Sequence, residues 1–294
     1  MNKIVFEGVA PALVTPFKNG EVDYASLEKV LDYQIKSGTK TLVLLGTTSE
    51  ASTLTFEEED KIFEFVKKRV PKDIKLIVGT GSNDTLTVIR RSLDAKNMGA
   101  DALLIVTPYY NKCTQKGLVA HYTQVTEAAK MPVIVYNVPS RTCLNITPET
   151  ALELSKNPWI VGIKEASSDI EQVLKMFHLL EGKMAIYSGD DEMDYLFFAL
   201  GAAGAISVTA NIAPMQKNEL FDLVKKGDHV GALKNHKKMY ELNNTLFIDV
   251  NPIPVKAALK HKGIIADDEL RMPLTKLDDD KRKILNGVVD NALR

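Results

Sequence analysis

Cysteine is nearly absent from this chain, with 2 among 294 residues, Cys113 and Cys143. The pair is too widely spaced for a CxxC, which excludes a disulfide scaffold or a Cys-rich zinc site, and two reduced thiols are expected over a single bridge. Charge of one sign is also missing. Against 38 Asp+Glu stand 37 Lys+Arg, a net charge of -1. That balance supplies no general positive excess to neutralise phosphates, so no nucleic-acid partner is expected. No long hydrophobic run exists either. The amino terminus holds a broken apolar stretch with Glu7 inside it, neither a secretory signal nor a membrane span. Runs elsewhere, such as Ala102 to Val106, are strand-sized. A cytoplasmic protein without a membrane partner is the expectation. The 5 histidines form no HExxH or other close ligand pair, so no metal site is expected.

What is present is a core: 45% of residues are hydrophobic and 26% charged, the balance of a globular protein and not of a disordered or fibrous one. Short runs rich in Val, Ile and Leu recur at Val9–Thr15, Thr41–Leu45, Leu76–Val78, Ala102–Val106, Val133–Tyr136, Ile160–Lys164, Ala185–Ser188 and Ala205–Ser207. Their ends lie 19 to 33 residues apart, the length of a strand-helix unit. Between them the apolar period is helical, as in Leu27, Val30, Leu31 and Ile35. Thr55-x-x-Glu58 reads as a capping box, Thr147-Pro148 as a capped helix start and Gly99 as a helix stop. Because the strands are continuously apolar, both of their faces are expected to be covered.

Eight such units point to a (β/α)8 TIM barrel. The alternative, a doubly wound open sheet, would advertise a glycine-rich loop after the first strand, and Val14-Thr15-Pro16-Phe17 is not one. If Asn211 to Lys226 is the eighth helix, the barrel occupies residues 1–226 and a helical extension occupies 227–294. Within the extension, helices are expected over Leu233–Leu246, Pro252–His261 and Asp279–Ala292.

A barrel carries its chemistry at the C-terminal ends of its strands. Those positions hold Thr47 and Thr48, Tyr109 and Tyr110, Tyr136 with Arg141, Lys164, and Asp190 with Asp191. An inward Lys164 would be partly desolvated, and desolvation frees the amine to attack a carbonyl and form a Schiff base. The plainer reading is a lysine snorkelling from a strand end or paired with Glu165. Tyr136 ends the preceding strand at the same level, where a phenol can shuttle protons, and Thr47 offers a hydroxyl relay. Tyr136, Tyr109 and Tyr110 read equally well as core or interface aromatics. Arg141 presents a fork for a carboxylate or is a solvated loop arginine. The backbone N–H groups of Gly46-Thr47-Thr48 suit a second carboxylate.

The segments Gly46-Thr47-Thr48-Ser49-Glu50, Thr107-Pro108-Tyr109-Tyr110-Asn111-Lys112, Tyr136-Asn137-Val138-Pro139-Ser140-Arg141-Thr142, Gly162-Ile163-Lys164-Glu165-Ala166-Ser167 and Ser188-Gly189-Asp190-Asp191 together resemble the dihydrodipicolinate synthase family. The five motifs occur in order across essentially the whole chain. The resemblance implies a class I aldolase-like lyase of lysine and diaminopimelate biosynthesis that condenses pyruvate with L-aspartate 4-semialdehyde, with no metal or organic cofactor. It assigns the Schiff base to Lys164, acid-base work to Tyr136, and a relay through Thr47 to Tyr110 of a neighbouring subunit in a homotetramer built as a dimer of dimers. It assigns the semialdehyde carboxylate to Arg141, pyruvate to Thr48, and pocket lining to Gly189 and Ile206. N-acetylneuraminate lyases and 2-keto-3-deoxy sugar-acid aldolases share the lysine and tyrosine, but Thr47-Thr48 and Arg141 favour the synthases. A barrel that binds a keto acid without catalysis is the distant alternative.

Three positions depart from the family's usual pattern: Ser49 and Cys143 stand where glycine is common, and Cys113 where proline is frequent. None removes a reacting group. Lysine-inhibited members carry histidines at the positions of Phe56 and Glu59 and a glutamate at Thr87, near Asn83 and Tyr109, which match. Weak or absent inhibition by lysine is therefore expected.

Overall fold

A computed structural model describes residues 4–294. Along the chain run β1 (Gly8–Pro11), β2 (Phe17–Lys18), β3 (Glu21–Val22), α1 (Tyr24–Lys36), β4 (Thr41–Leu44), α2 (Phe56–Arg69), β5 (Lys75–Gly79), α3 (Thr85–Met98), β6 (Ala102–Val106) and α4 (Gln115–Ala129). There follow β7 (Val133–Asn137), α5 (Pro139–Thr142), α6 (Pro148–Leu154), β8 (Ile160–Glu165), α7 (Ile170–Leu180), β9 (Ala185–Ser188), α8 (Asp194–Ala199) and β10 (Gly204–Ser207). The chain ends in α9 (Pro214–Lys225), α10 (His229–Thr245), α11 (Ile253–His261) and α12 (Asp279–Ala292).

Eight strands make one sheet in the order β1-β10-β9-β8-β7-β6-β5-β4. A parallel bridge between Ala12 and Val43 joins the two ends of that order, with Leu13 N donating to Val43 O at 2.8 Å. This is the (β/α)8 barrel topology expected from the repeated unit. Each expected strand is found, and Ala102–Val106 and Ala185–Ser188 have the anticipated bounds.

The first strand stops at Pro11 and not at Thr15, because side chains take over its backbone groups. Asn211 Oδ1 accepts from Val14 N at 3.1 Å, and Ser49 Oγ donates to Leu13 O at 2.6 Å. The sequence reading also missed the β2–β3 hairpin. Its signal was there: Asn19 and Gly20 both have positive φ, at 55° and 81°, as a tight two-residue hairpin turn requires.

The chain divides into two compact units. One comprises Lys75–Ile206 with the N-terminal segment, and so contains β5 to β9 with their helices. Its core includes Tyr187, which is fully buried, stacks on Phe6 at 4.5 Å and donates its hydroxyl to Phe6 O at 3.0 Å. Its helices start where expected: Thr147 Oγ1 accepts from Thr150 N behind Pro148, and Gly99 ends α3 at φ 87°.

The other unit comprises Gly8–Ile74 and Ser207–Arg294. Here the Thr55–Glu58 capping box is formed on both sides. The region read as one helix from Asn211 is a short 3-10 turn at Thr209–Asn211 followed by α9. The helix α10 begins a turn before its expected start because Asp228 caps it, accepting from Gly231 N at 2.9 Å. No helix among the described residues is long and apolar enough to cross a membrane.

Candidate active site

Strands β7 and β8 are parallel neighbours in which Tyr136 pairs with Lys164 and Asn137 with Glu165. Side chains alternate along a strand, so Tyr136 and Lys164 share one face while Asn137 and Glu165 share the other. Lys164 is 5% exposed, and its Nζ lies 4.3 Å from the centroid of the Tyr136 ring. That burial rules out a lysine snorkelling to solvent. Pairing with Glu165 is excluded too, since Glu165 turns away to accept from Asn137 Nδ2 at 2.9 Å and from Ser167 N at 2.7 Å.

Burial is the main influence on both groups. It pulls the Lys164 ammonium down to about 8, against the pull of the Asp191 and Asp194 carboxylates, with the Arg141 guanidinium lowering it further. A drop from 10.5 to about 8 raises the neutral share at pH 7 from about one lysine in 3000 to about one in 10. Tyr136 moves the other way, up to about 12 by burial, with Arg141 opposing and Glu165 adding to the rise. At neutral pH about one Lys164 in 10 is thus a free amine beside a protonated phenol, the acid-base complement that carbonyl addition needs.

Gly189 follows β9 on the same face, two residues beyond Tyr187, the register partner of Lys164. A Cβ at Gly189 would stand 2.8 Å from Lys164 Cε and 3.0 Å from Lys164 Cγ, so the lysine runs through the space a side chain would fill. Ile206 is 1% exposed and lies two residues after Gly204, the partner of Tyr187, which puts it on this face as well.

Arg141 is exposed in α5, a single turn opened by Pro139. Its charge is felt at both Lys164 and Tyr136. The turn is pinned by Thr107 Oγ1, which donates to Thr142 Oγ1 at 3.0 Å, and it ends at Cys143 in the left-handed region at φ 54°. That angle explains why glycine is the easier residue there. Tyr110 is 92% exposed at φ 72°. Asn111 N donates to Tyr109 O at 2.9 Å across it, a strained three-residue turn that holds the ring outward.

Thr47 and Thr48 lie in the other unit, in the 3-10 turn after β4. Thr47 is exposed, whereas Thr48 is 2% exposed and its Oγ1 accepts from Asn251 Nδ2 at 2.9 Å. Glu50 anchors the end of this turn at φ 57°, accepting from the fully buried Lys256 Nζ at 2.7 Å and from Arg271 N at 3.0 Å. Ser49, where the family often has glycine, spends its hydroxyl on Leu13 O.

Sequence reasoning did not single out Asn137 or Glu165 as site residues, and it stopped at Asp191 without reaching Asp194, which is 1% exposed. The strand period, which puts every second residue on the helix-covered face, was the available signal for the first two.

A parallel barrel with a desolvated lysine and a phenol side by side at adjacent strand ends defines a class: the Schiff-base-forming, aldolase-type barrels. Comparison with known proteins narrows it. The chain belongs to the dihydrodipicolinate synthetase family, which it matches over residues 5–292. It is 46% identical over 288 residues to the 4-hydroxy-tetrahydrodipicolinate synthase of Thermodesulfovibrio yellowstonii, covering 98% of this chain and 99% of that one. It also superposes with a TM-score of 0.95, at 42% identity and over 98% and 99% of the two chains, on the chloride-inhibited dihydrodipicolinate synthase of Acinetobacter baumannii complexed with pyruvate. A structure described as the first monomeric dihydrodipicolinate synthase variant matches with a TM-score of 0.96 at 39% identity, over 98% of this chain and 97% of that one.

Proposed function

We propose that this chain condenses pyruvate with L-aspartate 4-semialdehyde to 4-hydroxy-tetrahydrodipicolinate, as a lyase of lysine and diaminopimelate biosynthesis. The observation that carries the reading is the buried Lys164 amine, held at about 8 beside the Tyr136 phenol.

Neutral Lys164 Nζ adds to the pyruvate C2 carbonyl. Tyr136 supplies the proton with which the hydroxyl leaves as water, and a Schiff base remains. The Tyr136 phenolate takes a methyl proton to give the enamine, whose carbon attacks the semialdehyde carbonyl while Tyr136 returns the proton to the new alkoxide. The amine of the adduct then adds to the C2 imine and expels Lys164, closing the ring. The net change is release of one water, and the lysine returns unchanged.

Arg141 binds the semialdehyde carboxylate, a role its exposed guanidinium suits. Gly189 and Ile206 line the pocket. The roles of Thr48 in binding pyruvate and of Thr47 in relaying protons rest on the family resemblance. So does the role of Tyr110 as a group given to a neighbouring copy in a homotetramer, which its 92% exposure supports. Two unpaired cysteines fit a cytoplasmic setting.

The test is reduction with borohydride in the presence of pyruvate. A stable adduct on Lys164, with turnover of pyruvate plus the semialdehyde, is the expected result. Absence of the adduct would overturn the assignment.

A further inference from the structure

The polar residues immediately after Tyr136 and Lys164 form a closed network on the opposite face of their strands. Asn137 is fully buried and Glu165 is 1% exposed. Asn137 uses both amide hydrogens: Nδ2 donates to Glu165 Oε2 at 2.9 Å and to Asn145 Oδ1 at 2.8 Å. Its Oδ1 accepts from Ile146 N at 2.8 Å. Asn145 is held in turn by Gln172, its Nδ2 donating to Gln172 Oε1 at 2.7 Å, and by Gln115, whose Nε2 donates to Asn145 O at 2.7 Å. Glu165 also accepts from Ser167 N at 2.7 Å, and Gln172 Nε2 closes the ring by donating to Glu165 Oε1 at 3.5 Å.

Three groups of the proposed reaction are one covalent step or one short loop from this network. Tyr136 precedes Asn137, Lys164 precedes Glu165, and Arg141 sits in the loop that leaves β7 at Asn137 and returns to its side chain at Asn145 and Ile146. The backbone ladder reaches the strand ends, with Ala166 N donating to Asn137 O at 2.9 Å, and the side chains add a second tie there. The Asn137–Glu165 bond spans β7 and β8 at the level of the Tyr136–Lys164 pair, where the ladder is ending.

We propose that Asn137 is a positioning residue: its amide, bonded to Glu165 and to the Asn145–Ile146 return of the loop, sets Tyr136, Lys164 and Arg141 relative to one another from the outer face of the strands. The inference rests on the proposed function and deepens it. The chemistry explains the choice of asparagine. An amide donates to two acceptors and accepts from a backbone N–H at the same time, as Asn137 does here, whereas a hydroxyl has one hydrogen to give. Aspartate has the same shape and cannot donate when ionised, so it would set two acceptors against each other across the strands.

That polarity supplies the test. Asn137→Asp removes the donor, and Glu165→Gln leaves either Asn137 Nδ2 or Ser167 N without its acceptor. The pair Asn137→Asp with Glu165→Gln reverses the bond: glutamine Nε2 donates to the aspartate, its Oε1 still accepts from Ser167 N, the aspartate still accepts from Ile146 N, and the reciprocally bonded Asn145 and Gln172 amides turn over together so that Asn145 Nδ2 donates to the aspartate. Rates of condensation are measured per Lys164 trapped with pyruvate and borohydride, so that loss of folded protein lowers the titre and not the rate.

A shift of about 1 Å in reacting groups costs about 100-fold, so Asn137→Asp is expected to lower kcat about 100-fold, with a smaller change in KM for pyruvate. Glu165→Gln should lower it less, and the double variant should exceed both single ones. A double variant no faster than the product of the two single effects would overturn the inference, as would an Asn137→Asp enzyme within about threefold of the parent. If Asn137→Asp does not accumulate folded, the comparison is between Glu165→Gln and the double variant, and a double variant no faster than Glu165→Gln overturns it. Failure of the unmodified enzyme to trap pyruvate would instead remove the proposed function itself.

Discussion

Replacing Gly189 with alanine asks how tightly the Lys164 side chain is confined. The added carbon would lie 2.8 Å from Lys164 Cε, 3.0 Å from Lys164 Cγ and 2.9 Å from Ala166 Cβ. Carbon atoms rest at about 3.5–4.0 Å, so the overlap is about 0.5–1.2 Å. The backbone of Gly189 cannot easily back away, because its N–H donates to Glu165 O at 2.8 Å, and Ala166 closes the other side. The movable partner is the lysine chain, which must swing by about 1 Å at Cε and more at Nζ. Displacement on that scale costs about 100-fold in rate, about 2.7 kcal/mol in the barrier. The strain on folding is that of ordinary overpacking, about 1–3 kcal/mol, which a barrel of this size survives. Steady-state condensation and the rate of borohydride-trapped pyruvate adduct should therefore fall together by about two orders of magnitude while circular dichroism is unchanged. A folded Gly189→Ala enzyme with both rates within about threefold of the parent would refute the confinement.

Four further outcomes are expected. Lys164→Met abolishes adduct formation and, at pH 7, raises the melting temperature: burial holds the folded ammonium at about 8 against 10.5, so the charged lysine destabilises the fold below pH 8, and the gain should fade as pH rises through 8 toward 10.5. A gain that persists at high pH would mean packing and not charge is responsible. Lys256→Met strips the buried Glu50 of its ammonium and should cost about 3–5 kcal/mol in denaturant melts, and a loss below about 1 kcal/mol would show that Arg271 N alone satisfies the carboxylate. Cys143→Gly relieves a left-handed cysteine and should stabilise by about 0.5–1 kcal/mol, read as a raised melting temperature. Lysine should inhibit weakly or not at all, since Thr87 stands where lysine-sensitive relatives have an acid and spends its hydroxyl on Asp84 at 2.6 Å; full inhibition below millimolar lysine would contradict this.

The barrel was legible because its strands are continuous apolar runs at a regular interval and its helices carry explicit start and stop residues. Lys164 and Tyr136 were legible for the same reason, since the end of an apolar run in such a barrel is a position with a known use. Boundaries were lost where side chains replaced backbone partners, as at Leu13 and Val14, bonded by Ser49 and Asn211. The hairpin was lost because its strands are two residues each, too short for any period, although Asn19-Gly20 marked its turn. Asn137 and Glu165 were passed over as flankers of reacting residues. Their partners, Asn145, Ile146, Ser167 and Gln172, come together only after the loop and strands fold, so no spacing along the chain announces them.

The Glu50–Lys256 bond joins residues 206 positions apart, and Asn251 reaches Thr48 across 203. The turn bearing Thr47 and Thr48 thus takes its buried partners from residues made long after it. At about 5–20 residues per second, roughly 10–40 seconds of synthesis separate Glu50 from Lys256. Throughout that interval the Glu50 carboxylate must stay in water, because burying it without its ammonium costs several kcal/mol. The nascent protein therefore cannot set this turn early. Its closure must wait for α11, and a product truncated before α11 keeps a solvated, open turn in place of the finished one.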